Sequence, residues 1–391
     1  MRLFMLFAPA FLDWPAAIAR RMMEVEPDTK VGGLVTGQIH TWEKLQSHRL
    51  PLAPLDRLDD LERQWLATPV RPEDYQRYEK LFGIEQLRRL VIADRQTGRG
   101  YVTGGLVAPT PLMRAARDPQ VVQRYVVGIL NYAFEKLEEF RPDLVFCYTV
   151  AGAQAYALGL ASGALGIPFA QFKHTRIGKC MVIDDAILDQ MNPIAGCLEA
   201  NLADPTRQPE LRAQAALYLK EFRDKAAAPE YLAYHFKTMR NRRRLSRLLR
   251  QAIGASRATL RGWRKPRDLR RPAPFLQFKY ELQAALSAER IQRSGLFMKP
   301  GERPDGAFAF MPLHFDPEAS TMVVSPMATN QLAAIEAVSK SLPLGMTLLV
   351  KEHGPMIGWR PKGYYEQLIS LPGVRLASPL DSGALLARDA A

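Results

Sequence analysis

The chain has 391 residues, 47% of them hydrophobic and 24% charged, with 29 prolines and 26 glycines. That is room for two compact domains plus connecting material, and it excludes both a disulfide-stapled mini-protein and a low-complexity or wholly disordered chain. Lys and Arg number 53 against 40 Asp and Glu, a net charge of +13, but fourteen basic residues and a single acid, Asp268, lie between Lys237 and Arg271, so the remainder of the chain is electroneutral.

Arg2 to Phe7 reads as a first buried strand, because Asp13 and Pro15 break the apolar stretch that a signal peptide would need. Further strands are expected at Val31 to Thr36 and Leu90 to Ala93. From Pro119 to Phe140 the residues Val122, Tyr125, Val126, Ile129, Leu130 and Ala133 recur at helical spacing, with Asp118 as cap and Pro119 at the first helical position. No charge occurs in the 29 residues from Leu144 to Phe172, a length that could span a bilayer. Gln154, Gln171, four glycines and Pro168 instead divide the stretch into a strand at Leu144 to Tyr148, a small-residue helix and a strand at Ile167 to Gln171, as in a buried βαβ unit. Residues 1–190 therefore read as an α/β domain around a mainly parallel sheet.

Residues 191–275 differ. Helix formers dominate from Leu211 to Ala228, and within the basic run Leu245, Leu248, Leu249, Ile253 and Leu260 fall at the spacings of an amphipathic cationic helix. The segment reads as a helical, basic linker or insertion. Trp263 is the single aromatic residue of 237–271, too few for a base-stacking platform, so no nucleic-acid partner is expected. An anionic membrane surface suits the run better, each Lys or Arg near it contributing about 1 kcal/mol.

Residues 276–391 return to the α/β rhythm. A helix is expected from Lys279 to Ser294, a strand at Ala307 to Met311, a polar loop at Leu313 to Ser320 and a helix from Thr329 to Leu342. A strand at Met346 to Val350, a helix at Tyr364 to Leu371 and a strand at Val374 to Ala377 follow. The sequence stops at Ala391 inside what reads as a further helix, so the C-terminal domain is expected to be incomplete. Cys147, Cys180 and Cys197 form no CxxC unit, and their odd number suits a reducing, cytoplasmic compartment.

In open α/β sheets ligands bind beyond the carboxyl ends of the strands. Two polar clusters fall there: His314-Phe315-Asp316-Pro317-Glu318, and Lys351-Glu352-His353 with Arg360 shortly after. Lys351 and His353, two residues apart, can meet one anionic group such as a phosphate; an ordinary solvated strand end is the alternative. The first cluster could supply a general base or an electrostatic stabiliser, although Asp316-Pro317-Glu318 reads first as a helix cap with proline at the first helical position. No Walker loop, GxGxxG, GxSxG, HExxH or DxD motif occurs, and the histidines and cysteines lack metal-ligand spacing, so no metal is expected. The pair Asp184-Asp185 reads as a loop.

Taken together, Leu313-His314-Phe315-Asp316-Pro317-Glu318-Ala319-Ser320, Asn330-Gln331, Ser341-Leu342-Pro343, Val350-Lys351-Glu352-His353 and Met356-Ile357-Gly358-Trp359-Arg360 resemble the family of capsule polysaccharide biosynthesis proteins, which includes bacterial β-Kdo transferases. Ala93-Asp94-Arg95 and the segment from Pro142 to Pro168 are similar to its N-terminal half, more weakly. The resemblance implies a GT-B-like α/β architecture, in which two Rossmann-like domains face each other across a cleft. The N-terminal one (1–190) would lie on the acceptor side, and the C-terminal one (276–391) would hold a nucleotide sugar. It implies donor-phosphate contacts at Lys351 and His353 with Arg360 beside them, and an active site lined by His314, Asp316 and Glu318. The implied partners are a nucleotide sugar as substrate, CMP-Kdo among the candidates, and a glycolipid or polysaccharide acceptor. The enzyme would be peripheral at the inner membrane and would need no cofactor. A non-catalytic assembly or export component that keeps the fold is the competing reading.

Overall fold

A computed structural model of the protein describes residues 1–225 apart from 38, 103, 104, 106, 176, 178, 179, 189 and 205, together with 253, 254, 256, 257 and 268–391. The cationic helix expected between Leu245 and Leu260 lies almost entirely outside the described residues.

The N-terminal half is built on strands β1 (Arg2–Phe7), β2 (Lys30–Val35), β3 (Leu52–Arg57), β4 (Leu144–Cys147), β5 (Phe169–His174) and β6 (Met181–Asp184). Their order in the sheet is β3-β2-β1-β4-β5-β6; the first five run parallel and β6 is antiparallel to β5. The period-two alternation of β1 explains why its sequence is apolar from Leu3 to Phe7. Phe4 and Leu6 face one core with α3 (Leu58–Ala67), α4 (Pro72–Ala93), α6 (Pro119–Phe140) and α7 (Ala153–Leu165). Leu3, Met5 and Phe7 face a second core with α1 (Asp13–Val25) and α2 (Ile39–Ser47). The uncharged stretch from Leu144 is the β4–α7–β5 unit, and Asp118 caps α6 by accepting the Gln120 N–H at 2.9 Å.

Two features depart from the sequence reading. Leu90 to Ala93 is no strand but the last turn of α4, where Leu87, Leu90 and Val91 pack onto the first core. A four-residue apolar run has no periodicity of its own, and here the helical pattern upstream decides it. The edge strands β3 and β6 went unread. Pro54 lies inside β3, as an edge position tolerates, and β6 is only four residues long.

α5 (Pro111–Ala115) precedes α6, and α8 (Asn192–Ala203) and α9 (Pro209–Lys225) follow β6. The C-terminal half opens with α10 (Pro274–Arg293). Its strands β7 (Phe308–Pro312), β8 (Thr347–Lys351) and β9 (Val374–Leu376) form a parallel sheet in that order. Leu348, Val350, Val374 and Leu376 pack against α11 (Gln331–Ser341) and α12 (Tyr364–Ser370), and Phe308 and Leu349 against α13 (Gly383–Asp389).

The halves touch through the loop that follows β7. A π-helical turn, Ser320–Val324, buries Val323 in the first core of the N-terminal half. Gly105 (φ +103°) lies so close to the Trp359 carbonyl that a Cβ there would stand 2.4 Å from its oxygen. The end of α4 adjoins the carboxyl end of β4, where Gly152 approaches the Ala93 carbonyl, and the Arg95 and Arg99 charges just beyond it feel Glu318 and Asp316. The carboxyl edges of two Rossmann-like sheets therefore meet, which is a GT-B-like arrangement.

One helix contact is set by a glycine. A Cβ on Gly128 of α6 would stand 2.3 Å from Cγ of Trp65, whereas Gly163 of α7 has open space around it. Gly128→Ala is expected to destabilise the protein by about 1–3 kcal/mol through overpacking. Gly163→Ala should stabilise it by about 0.5–1 kcal/mol, both read from urea unfolding.

Candidate active site at the carboxyl ends of β7 and β8

Arg360 is a fully buried guanidinium. Its Nη1 donates to Asp316 Oδ2 at 2.6 Å, its Nε to Glu352 Oε2 at 2.9 Å, and its Nη2 to Glu352 Oε1 at 3.0 Å and to the His314 carbonyl at 2.8 Å. Tyr365 adds a hydroxyl to Glu352 Oε2 at 2.8 Å, and Gln331 donates to Asp316 Oδ2. The Tyr364 ring lies 5.0 Å from the guanidinium carbon. Burial works against the Arg360 charge, but the Glu352 and Asp316 carboxylates outweigh it and hold the guanidinium above its ordinary value. A bidentate carboxylate on a planar fork is the geometry that arginine, not lysine, supplies.

The cluster shapes both loops. The His314 N–H donates to Gln331 Oε1 at 2.7 Å, and the His353 N–H to Glu352 Oε1 at 2.7 Å. Past the end of β8, Glu352 turns into the cluster, and the Lys351 side chain passes beside Gly383 of α13. The His353 ring meets the Phe315 ring edge-on at 6.1 Å.

His314 itself is half exposed. Its Nδ1 lies 3.0 Å from Glu318 Oε1, and Ser320 donates its hydroxyl to the same oxygen. The Glu318 hydrogen bond raises the imidazole pKa against the opposing effect of burial. Burial pushes Glu318 up, but the hydrogen bonds from His314 and Ser320 outweigh it and leave the carboxyl below its ordinary value. With Nδ1 committed to a carboxylate, a neutral ring keeps its proton there and offers a lone pair at Nε2. Burial lowers the Lys351 amine, with Glu352 and Asp381 opposing.

The structure thus brings His314, Glu318 and His353 to one lip of the cleft. It sets Asp316 and Arg360 behind them as a buried pair, with four guanidinium N–H bonds spent on protein oxygens rather than offered to a phosphate. The helix-cap reading of Asp316-Pro317-Glu318 does not hold. The turn that follows begins at Ser320 with Ala319 at its N-cap and no side-chain cap, because Asp316 is taken by Arg360. Asp184 lies at the end of β6 and accepts the N–H groups of Ala186 and Met191. Among the described residues no group of three or more His, Cys, Asp or Glu side chains is arranged to hold a metal ion.

Sequence reasoning left Glu352, Gln331, Ser320 and Tyr365 without roles. It also missed a second buried cluster, in the N-terminal half. Arg270 donates from Nε to both oxygens of Glu62 at 2.9 Å, and from Nη2 to Asp94 Oδ2 at 2.7 Å and to the Tyr125 hydroxyl at 3.0 Å. Burial pushes Glu62 upward despite Arg270, whereas for Asp94 the pull of Arg270 and of the Thr97 and Gln96 amides outweighs burial. In the sequence Asp94 stands out only within the Ala93-Asp94-Arg95 block, and Arg270 only as one of the last residues of the basic run. Beside this cluster a cavity of about 370 Å³ opens at the carboxyl ends of the first three strands, lined by Pro9, Gly37, His40, Asp59 and Arg271 among others.

The His314–Glu318 pair is open to direct measurement. In a ring-proton NMR titration His314 should titrate above 6.5, its ordinary value, and Glu318→Gln should bring it back down. Because the folded pKa is the raised one, the stability contributed by the pair is complete below the unfolded pKa and is lost as pH rises through the folded pKa.

No family model and no curated protein matches this chain. Among solved structures it is similar to the UDP-GlcNAc 2-epimerase of Neisseria meningitidis bound to UDP-GlcNAc, at 11% identity over 100% of this chain and 76% of that one, with a TM-score of 0.24. It is also similar to the UDP-GlcNAc 2-epimerase of Methanocaldococcus jannaschii, at 13% identity over 99% of this chain and 76% of that one, with a TM-score of 0.25. Superpositions this loose do not bear on the chemistry.

Proposed function

We propose that the protein is a glycosyltransferase of capsule or other surface-polysaccharide assembly, moving a sugar from a nucleotide donor, CMP-Kdo among the candidates, to a glycan or glycolipid acceptor. The observation that carries this reading is the His314–Glu318 pair at the carboxyl edge of β7, with the His353 ring against Phe315 of the same loop and Lys351 at the end of β8. His314 Nε2 takes the proton of the acceptor hydroxyl as its oxygen attacks the anomeric carbon, and the bond from that carbon to the donor phosphate oxygen breaks. Glu318 stabilises the imidazolium that forms, and Lys351 and His353 receive the charge of the departing phosphate. Asp316 and Arg360 act here as positioning residues. The family resemblance of the same blocks supports the same assignment.

A position against anionic lipid follows from the charge of residues 237–271. In the adjoining helices Leu198, Leu202, Leu217 and Phe222 are exposed, which adds apolar surface for the same contact. No described helix is long and apolar enough to cross a membrane. Arg270 is spent in the buried cluster and takes no part in this contact.

A donor-consumption assay tests the chemistry. His314→Ala should lower turnover by about 10²-fold or more while far-UV circular dichroism shows the fold retained, and turnover equal to wild type would remove the base from the reading. For the membrane contact, changing the Lys and Arg residues of 240–267 to Gln should abolish co-sedimentation with phosphatidylglycerol vesicles while nucleotide affinity persists. Unaltered co-sedimentation would refute it.

A further inference from the structure

The strand order β3-β2-β1-β4-β5-β6 reverses between β1 and β4, since β1 leads towards β2 and β3 while β4 leads towards β5 and β6. In open α/β sheets ligands lie beyond the carboxyl ends of the strands at such a switch point. There the turn Pro9–Phe11, which follows β1, joins two features that the transfer step above does not use. Its first residue, Pro9, lines the cavity of about 370 Å³, a volume within the range of small-ligand sites. Its last, Phe11, stacks on Tyr148, the residue after β4, with ring centroids 4.3 Å apart. Trp14, in the first turn of α1, lies 6.1 Å from the same Tyr148 ring and is 54% exposed. An indole seated beside Tyr148 and open to water is an apolar platform with a polar edge.

The cavity is walled on one side by residues 268–271. Arg270 holds this stretch through Glu62 and Asp94, and the Leu269 carbonyl accepts the Leu112 N–H at 3.0 Å. Gly37 (φ +94°) closes in from β2: a Cβ there would stand 2.3 Å from Pro9 Cγ and 2.9 Å from Thr41 Oγ1, a buried hydroxyl with no hydrogen-bond partner among the described residues. Three carboxylates of the lining, Asp59, Glu62 and Asp268, face two guanidiniums, and one of these, Arg270, also serves Asp94. A phosphate would therefore meet an excess of negative charge, whether free or brought by a nucleotide stacked on Trp14. Neutral hydroxyls suit the lining better, because the carboxylates accept from them while His40 and the exposed Arg271 can donate to them. A sugar unit has hydroxyls at its edge and C–H groups on its face, which are the two things the cavity and the indole take.

We propose that the carboxyl edge of the N-terminal sheet binds a neutral glycan chain in two adjoining places, with the hydroxyls of one sugar in the cavity and the C–H face of another on Trp14. That this chain is the acceptor rests on the transferase reading above; that it is a neutral glycan of more than one unit does not.

Saturation-transfer NMR on the full chain tests this with the methyl glycosides of glucose, galactose, mannose and N-acetylglucosamine, a tetrasaccharide of each sugar, and pyrophosphate. At least one tetrasaccharide should bind about tenfold or more tightly than its methyl glycoside. Trp14→Ala should cost that tetrasaccharide about three- to tenfold in affinity, with the methyl glycoside and the far-UV circular dichroism unaltered. Asp59→Asn and Arg271→Gln should weaken both saccharides. Wild type binding no saccharide, or a tetrasaccharide bound equally by wild type, Trp14→Ala and Arg271→Gln, overturns the proposal. Pyrophosphate bound in place of any saccharide, and lost in Arg271→Gln, overturns it in favour of an anion site. Donor consumption judges the transferase reading separately: turnover lost in His314→Ala with no saccharide bound removes this site alone. Tetrasaccharide binding as stated, with turnover intact in His314→Ala, keeps the glycan site and removes the base.

Discussion

The candidate site depends on one constraint: a guanidinium with no access to water must be matched by carboxylates, and Arg360 finds them on two different loops. Asp316 follows β7 and Glu352 ends β8. A charge without partners in that position would cost several kcal/mol, so the two loops are held together wherever the fold is intact. The catalytic proposal inherits its geometry from this pairing, since the amides of His314 and His353 are anchored by Gln331 and Glu352, which themselves bind Asp316 and Arg360. The buried charges contribute specificity of arrangement more than stability, because a well-packed apolar substitute for the whole cluster would fold as well or better.

The N-terminal half repeats the device. Arg270 comes from the end of the basic segment and clamps Glu62 and Asp94, residues of α3 and of the turn after α4. Each half thus uses one arginine to tie together elements distant in sequence, and in the C-terminal half the His314–Glu318 pair is left at the surface in front of that anchor. Arg270 thereby ties the segment that carries the whole charge excess of the chain to the core of the N-terminal half.

The sheet skeleton was readable where local pattern decides it. β4, β7 and β8 are largely apolar runs, β1 and β2 are apolar after their first residue, the apolar start of β5 and the Val-Arg-Leu of β9 read less plainly, and α6 announces itself by period and cap. Leu90 to Ala93 failed because a run that short takes its conformation from the helix before it, and β3 and β6 because edge strands lack a two-sided apolar signature. In the site, His314, Glu318, Lys351 and His353 were legible as polar residues past strand ends. Asp316 and Arg360 were legible as residues but not as a pair, since a buried contact spanning 44 positions leaves no spacing to read. The Arg270 cluster, spanning up to 208 positions, was not legible as a cluster for the same reason, although Asp94 stood in the Ala93-Asp94-Arg95 block and Arg270 in the basic run.

The dependence of both loops on Arg360 can be measured by amide hydrogen exchange of Arg360→Met against the wild-type protein. The account predicts that the His314 and His353 amides lose protection together, because one guanidinium holds the two carboxylates behind them, while protection in α6 and in β1 is retained. Protection kept at both amides, or lost at one alone, would contradict it.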